Sequence, residues 1–481
     1  MQPFPSLVLR AGGAAAQGAF AEAQAAFLDP DPATVRRLRE LLEASGAGIV
    51  AHFYMDAELQ GVLFACDWPH IHISDSLVMA DRALQMAREG ARAIVVLGVD
   101  FMSENVRAVL DAAGFEHVPV YRVAQEPIGC SLAAAAEAPA YAAYLRRAAQ
   151  TPDSLHVVYI NTSLRTKAYA QSLVPTITCT SSNVIQTVLQ AFAQVPEGHV
   201  WFGPDTYMGE NLRALLTSLA EMDDAAVRAL HPAHDAASIR ALLPRFHHFE
   251  QGSCIVHHMF GAEVVRRVQE HYAGAHITAH LEVPGEMFAL ALEAQRAGHG
   301  VVGSTSNILD YITAQVKQVG DVPGDRSPVR LQFVLGTEAG MVTAIVHQLR
   351  ALLQTLARPV EVEIVFPVAD AAVVATGDVH LPLVPGVAGG EGCSTAGGCA
   401  TCPFMKMNSL DALLEVLARA PEAGDKLVAF APRKYVEKIG EQTIAQLGEL
   451  PIRHMREFSR TKQLPAALVA DIRSRGLSAA S

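Results

Sequence analysis

The chain has 481 residues, with 37 Lys and Arg against 49 Asp and Glu, for a formal charge of −12. A composition that is 51% hydrophobic and 18% charged excludes a disordered chain, which needs low hydrophobicity and high net charge. The length excludes one small core, because single cores stop growing near ~250–300 residues. The acidic balance argues against general nucleic-acid binding, which relies on clustered Lys and Arg.

Residues 1–45 are expected to form a helical N-terminal extension, since 11–45 are Ala-rich with helical spacing toward the end. They carry no secretory pattern, and seven cysteines are too sparse for a disulfide scaffold, so a cytoplasmic location is expected. Gly48-Ile49-Val50-Ala51-His52 reads as a buried strand. Further strands are expected at 93–97, 156–160, 199–202, 300–302 and 331–335, with amphipathic helices such as 80–90 and 286–298 between them. The uncharged span 168–196 is crowded with Ser, Thr, Asn and Gln around Pro175, so no membrane helix is expected there. The alternation predicts an α/β chain with mostly parallel sheets.

An internal repeat organises these elements. Three strands end in His52-Phe53-Tyr54, Tyr159-Ile160-Asn161 and His280-Leu281-Glu282. At nearly equal spacing follow the turns Ser74-Asp75-Ser76-Leu77, Thr180-Ser181-Ser182-Asn183 and Ser304-Thr305-Ser306-Asn307. A second strand then ends in Gly98-Val99-Asp100, Gly203-Pro204-Asp205 or Gly336-Thr337-Glu338, and Cys130, Cys254 and Cys402 close the copies. Self-similarity of this kind predicts three copies of one α/β unit. The expected bounds are 46–130, 131–254 and 255–402, with insertions near 210–250 and 345–392, and a helical tail over 403–481.

Ligands of open α/β sheets sit beyond the strand C-termini. Three units facing one another would bring His52, Tyr54, Tyr159, Asn161, His280 and Glu282 to one centre. Three helix N-termini bearing Ser76, Ser181, Ser304 and Thr305 would meet there too, and their free N–H groups and hydroxyls suit carboxylates and phosphates. One cysteine per unit adds three thiolates. A [4Fe–4S] cluster held by three cysteines keeps one iron open as a Lewis acid.

The ordered motifs resemble the quinolinate synthase family. They include Ala51-His52-Phe53-Tyr54, Phe101-Met102-Ser103-Glu104, Gly129-Cys130-Ser131-Leu132, Gly252-Ser253-Cys254-Ile255-Val256-His257, Thr337-Glu338-Ala339-Gly340 and Cys402-Pro403-Phe404-Met405-Lys406-Met407-Asn408. The resemblance runs from about residue 46 to 420. It implies three pseudo-symmetric three-layer α/β/α domains around a central iron–sulfur cluster, with Cys130, Cys254 and Cys402 as its ligands. It also implies condensation of iminoaspartate with dihydroxyacetone phosphate to quinolinate, with loss of phosphate and water, in NAD biosynthesis. An L-aspartate oxidase or dehydrogenase would supply the iminoaspartate. Glu282 and His280 are the implied proton-transfer residues, with Tyr54 and His52 beside the cluster. His52, Ser76, Tyr159, Asn161, Ser181, His280, Glu282, Ser304 and Thr305 are the implied substrate contacts.

Three departures stand out: Ser74 replaces a usual Gly, Asp100 a usual His or Arg, and Leu281 a usual Pro before Glu282. Loss of that proline would alter how rigidly Glu282 is aimed. Lys167 is a candidate partner for substrate phosphate, or for Glu338 or Asp205. His257 is a candidate for orienting the Cys254 loop. His231, His234, His247 and His248 read as a surface insertion, with a second metal site as the alternative. Cys399 reads as a spare thiol or as the disulfide partner of Cys402, and Cys393, Cys66 and Cys179 as incidental. The competing functions are a diphthamide-type three-cysteine radical enzyme, which acts on a protein substrate, and a zinc-stapled scaffold, which needs four close ligands. A dehydrogenase is disfavoured because no G-x-G-x-x-G follows a strand.

Overall fold

The computed structural model describes residues 4–254, 256–257, 260–322, 327–367, 402–422 and 425–479. The chain opens with an antiparallel hairpin, β1 (Ser6–Arg10) and β2 (Gly13–Gln17), followed by α1 (Ala19–Ala25) and α2 (Pro32–Ser45). The N-terminal segment is therefore helical only from residue 19. Leu7, Val8 and Leu9 are buried, and pairing with the third unit's last strand overrides the helix propensity of the alanines that follow. Gly46 ends α2 in the left-handed conformation at φ 64.

The first unit comprises β3 (Ala47–His52), α3 (Ala57–Ala65), β4 (Ile71–Ser74), α4 (Ser76–Arg88), β5 (Ala93–Leu97), α5 (Asp100–Ala112) and β6 (Val120–Tyr121). Two helices, α6 (Ser131–Glu137) and α7 (Pro139–Ala149), lead to the second. That unit contains β7 (Ser154–Tyr159), α8 (Leu164–Leu173), β8 (Thr176–Cys179), α9 (Val184–Gln194), β9 (His199–Gly203), α10 (Thr206–Leu219), α11 (Asp224–Leu230), α12 (Ala236–Leu242) and β10 (Phe246–His248). After α13 (Ala262–His271), the third unit runs β11 (His276–His280), α14 (Gly285–Arg296), β12 (Gly300–Gly303), α15 (Thr305–Gly320), β13 (Val329–Gly336), α16 (Met341–Leu353) and β14 (Val360–Val365).

The three sheets have one topology. Their orders are β4-β3-β5-β6, β8-β7-β9-β10 and β12-β11-β13-β14, the last extended by β1 and β2. Every pair within the repeated four strands is parallel. Each unit is a three-layer α/β/α sandwich, and the strands are buried on both faces as such a sandwich requires: all six residues of β3 and of β7 are buried.

The repeat also resolves the two supposed insertions. Residues 210–250 are the crossover from β9 to the fourth strand, made longer by α11 and α12. His231 and His234 fasten this crossover to α9 through Gln190 (2.9 Å) and the Leu189 carbonyl (2.8 Å). His247 lies 3.1 Å from His199. These rings pack against protein partners, and no metal group among the described residues includes them. Residues 345–365 are ordinary parts of unit three. Residues 368–392 of the second stretch, and Cys393 and Cys399 beyond it, lie outside the described residues.

The C-terminal segment contains α17 (Leu410–Arg419), a small hairpin of β15 (Lys438–Ile439) and β16 (Gln442–Thr443), α18 (Ile444–Thr461) and α19 (Ala466–Ala479). It is a clamp rather than a tail. Helix α18 lies along α8 and the edge strand β8, with His454 Nδ1 3.0 Å from the Thr176 carbonyl and Arg456 paired with Asp81 of unit one. Gly448 allows the approach, since a Cβ there would meet the Leu164 carbonyl at 2.5 Å. Among the described residues no helix is long and apolar enough to cross a membrane.

Beneath α7, His156 is fully buried on β7, with Nε2 2.9 Å from the Tyr141 hydroxyl. Burial pushes its pKa from 6.5 down to about 3. Between those values the unfolded chain binds a proton that the folded chain refuses, so this contribution is full above pH 6.5 and is lost as pH falls toward 3. The Tm advantage of the wild type over His156→Gln is therefore expected to shrink as pH is lowered from 7.5 to 4.5. A pH-independent difference would contradict the assignment.

Candidate active site

The C-terminal ends of the three sheets converge on one cavity. It is lined by His52, Tyr54, Tyr159, Asn161, His280 and Glu282 from the first strands of the units. Ser76, Ser181 and Thr305 line it from the second turns, and Cys130, Cys254 and Cys402 from the closing loops. Of the thirteen residues expected at the centre, Ser304 is not among those lining the cavity.

The repeat explains that exception. Asp75 and Ser304 are the N-caps of α4 and α15, and each side chain accepts backbone N–H groups of its own helix. Ser304 Oγ accepts from Asn307 N at 3.2 Å and donates to Asn307 Oδ1 at 2.8 Å. Its hydroxyl is spent on a cap, which is worth about 1 kcal/mol. The next residue, Thr305, faces the cavity, as do Ser76 and Ser181 at the matching positions. Thr180 also lines the cavity, and its buried hydroxyl makes no hydrogen bond. Its signal in the sequence was its place in the same repeated turn.

The two histidines are held alike. His52 Nδ1 accepts the Tyr54 N–H at 3.2 Å, and His280 Nδ1 accepts the Glu282 N–H at 3.3 Å. These bonds put the ring proton on Nε2, and His280 Nε2 donates it to Ser181 Oγ at 3.1 Å. Burial holds His52 down at about 3 and His280 at about 4, against the pull of Glu282. Both are neutral N–H donors at neutral pH.

Glu282 is ionised within the centre. Burial opposes its charge, but His257, His280 and the Tyr159 hydroxyl together hold it at about 2. Tyr159 donates to Oε1, and His257 Nδ1 lies 3.0 Å from Oε2. Tyr54 reaches the hydroxyls of Thr305 (3.2 Å) and Thr337 (3.4 Å). Burial pushes the phenols of Tyr54 and Tyr159 well above the usual range, so both remain O–H donors.

The missing proline before Glu282 is replaced by a different constraint. Leu281 is fully buried, and its N–H donates to the Gly303 carbonyl at 3.1 Å. Asn211 of α10 is buried and donates from Nδ2 to the carbonyls of both Leu281 (2.9 Å) and Val283 (2.8 Å), bracketing Glu282. Asn211 is a positioning residue that sequence reasoning missed. Asn211→Ala is expected to lower kcat about 10-fold or more, as small displacements of reacting groups do, with metal content unchanged. An unchanged kcat would show that the clamp is not needed.

Lys167 is placed differently from either sequence expectation. It is fully buried, and Nζ donates to the carbonyls of Ile160 (3.1 Å) and Thr162. It therefore secures the turn that presents Asn161 and does not line the cavity. Asp100 pairs with Arg122 at 2.7 Å, which accounts for a carboxylate at that departure. Ser74 donates to the Asp75 carbonyl at 3.0 Å.

The three cysteines are free thiols, each with backbone N–H groups at its sulfur: Leu132 and Ala133 at Cys130, His257 at Cys254, and Phe404 and Met405 at Cys402. Glu338, fully buried, accepts the Cys402 N–H at 2.6 Å and fixes the third loop. Burial raises the thiols to about 11 at Cys130, to about 12 at Cys402 and well above the usual range at Cys254. Three half-buried cysteines beside an ionised carboxylate need a cation to become thiolates, and a coordinating metal removes such protons outright. The donor set and its N–H groups fit a metal group held by three thiolates.

Fold and site together define an α/β enzyme whose three repeated units share one centre built for a metal group. A family model described as quinolinate synthetase A protein (NadA) matches residues 36–428. Quinolinate synthase, chloroplastic, of Arabidopsis thaliana is 55% identical over 98% of this chain and 67% of its own length. The protein of the same name from Nicotiana tabacum is 54% identical over 99% and 68%. Quinolinate synthase of Prochlorococcus marinus is 26% identical over 81% and 86%. The chain belongs to the quinolinate synthase family.

Proposed function

We propose that this chain condenses iminoaspartate with dihydroxyacetone phosphate to quinolinate, with loss of phosphate and water, in NAD biosynthesis. The observation that carries the reading is the convergence of three cysteines, one per unit, on a cavity whose acid–base groups come from the matching strand ends. Cys130, Cys254 and Cys402 would hold a [4Fe–4S] cluster. Such a cluster supplies a Lewis-acidic iron with one open position.

The chain's own residues account for the rest. Among the described residues the cavity lining contains no Lys or Arg, so substrate carboxylates and phosphate are met by neutral donors. These are the N-termini of α4, α9 and α15, the hydroxyls of Ser76, Ser181 and Thr305, and the Nε2–H groups of His52 and His280. Asn161 offers both a donor and an acceptor. Glu282, held between Tyr159 and His257, takes the proton from the carbon that forms the new bond. Tyr54 and Tyr159 donate protons to departing hydroxyls in the dehydrations, the role that positioned acids fill in such steps. Enclosure limits competing hydrolysis of the unstable imine.

The supplier of that imine would be an L-aspartate oxidase or dehydrogenase. A reducing compartment suits the free cysteines. For the plant relatives, the names place those proteins in the chloroplast. The test is quinolinate formation by anaerobically reconstituted protein given dihydroxyacetone phosphate and freshly generated iminoaspartate. Product should require both substrates, and its absence from cluster-loaded protein would overturn the reading.

A further inference from the structure

Cys254, His257 and Glu282 bring a sulfur, an imidazole nitrogen and a carboxylate oxygen within 4.8 Å of one another. We propose that in chain lacking its cluster these three side chains form a mononuclear divalent-metal site of the zinc type. The site shares Cys254 with the cluster, so the two metal groups exclude each other.

The donors suit the ion. Thiolate, imidazole and carboxylate are the protein ligands of zinc, and three of them plus one open position make a site that also takes water. Zinc bonds of ~2.0–2.3 Å place tetrahedral donors roughly 3.3–3.8 Å apart. His257 Nδ1 and Glu282 Oε2 are 3.0 Å apart and open slightly to reach that spacing, while Cys254 Sγ, within 4.8 Å of both, closes toward them.

His257 gives an independent sign. It is 1% exposed, and neither ring nitrogen makes an aligned hydrogen bond. Nδ1 approaches Glu282 Oε2 without the geometry of one. A metal would satisfy that nitrogen. The surroundings already orient the ligands, as outer contacts do in metal sites. The His280 ring stacks on His257 with centroids 5.0 Å apart and 16° between planes. Tyr159 occupies Glu282 Oε1 and leaves Oε2 to the metal. Cys130 and Cys402 line the same cavity but are not in the group, which separates this site from the three-thiolate set.

A metal here would occupy one cluster ligand and the ionised carboxylate together. Zinc would then block both cluster assembly and the acid–base group. This inference concerns the cluster-free chain and reads metal binding, so it stands or falls apart from the activity proposed above.

The experiment is zinc titration of anaerobically prepared apoprotein, with metal counted after desalting. About one zinc per chain should be retained, and zinc-loaded protein should take up no iron or sulfide until a chelator removes the zinc. His257→Ala and Glu282→Gln should each bind zinc at least ~10-fold more weakly while still accepting iron and sulfide. Cys130→Ser and Cys402→Ser should keep the zinc. Cobalt(II) in the wild-type apoprotein should show the charge-transfer intensity of one thiolate. Zinc lost with Cys130→Ser, zinc retained undiminished by His257→Ala, or a three-thiolate cobalt spectrum would overturn the proposal, as would apoprotein that retains no zinc.

Discussion

Glu282→Gln is expected to lower kcat by ~10²- to 10⁴-fold, the range for removal of a positioned general base, while iron and sulfide stay at wild-type levels. The substitution keeps the size of the side chain and leaves an oxygen to accept the Tyr159 hydroxyl. It removes a carboxylate that its neighbours hold ionised against burial, with a pKa of about 2. The His280 and His52 imidazoles cannot replace it. His280 commits Nδ1 to the Glu282 backbone and Nε2 to Ser181, and His52 commits Nδ1 to Tyr54 N–H. Steady-state quinolinate formation, read beside metal content, checks the prediction. Loss of the metal group in this variant would make the role of Glu282 structural instead.

Serine at Cys130, Cys254 or Cys402 is expected to abolish turnover and sharply reduce bound iron and sulfide. Each position supplies one of three ligands, and no other described cysteine lines the cavity. The backbone N–H groups around each sulfur stabilise thiolate charge, and a serine hydroxyl is a far weaker ligand for such a group. Cys66→Ser is the control. Cys66 ends α3 away from the cavity, so its variant should keep both the metal group and activity. Metal lost from the control, or retained by a ligand variant at full activity, would contradict the assignment.

Much of this centre was legible in the sequence because the repeat is written in chemistry-bearing residues. A strand buried on both faces leaves little freedom in where its end points, so His52, Tyr159 and His280 could be placed at one centre before the units were seen to meet. The helix-opening turns were legible for the same reason, to within one residue. Ser304 and Thr305 are adjacent hydroxyl residues, and only the capping geometry tells which one turns inward.

What was not legible depends on contacts distant in sequence. Asn211 clamps the backbone around Glu282 from another unit, and nothing local marks it. Lys167 looks like an anion ligand because it is a lone charge in an apolar stretch, yet the Ile160 and Thr162 carbonyls bind it instead. The N-terminal hairpin depends on β14 for its partner, so its alanines misled a reading based on local propensity. The crossover from β9 looked like an insertion because β10 is only three residues long, too short to show a strand pattern.

The central claim is that three cysteines from three units hold one catalytic iron–sulfur centre. Iron, acid-labile sulfide and zinc per chain, measured after anaerobic purification and reconstitution, test it most directly. The account predicts iron and sulfide in near-equal amounts, at about four each, as a [4Fe–4S] cluster requires. Zinc with no sulfide in the reconstituted protein would contradict it.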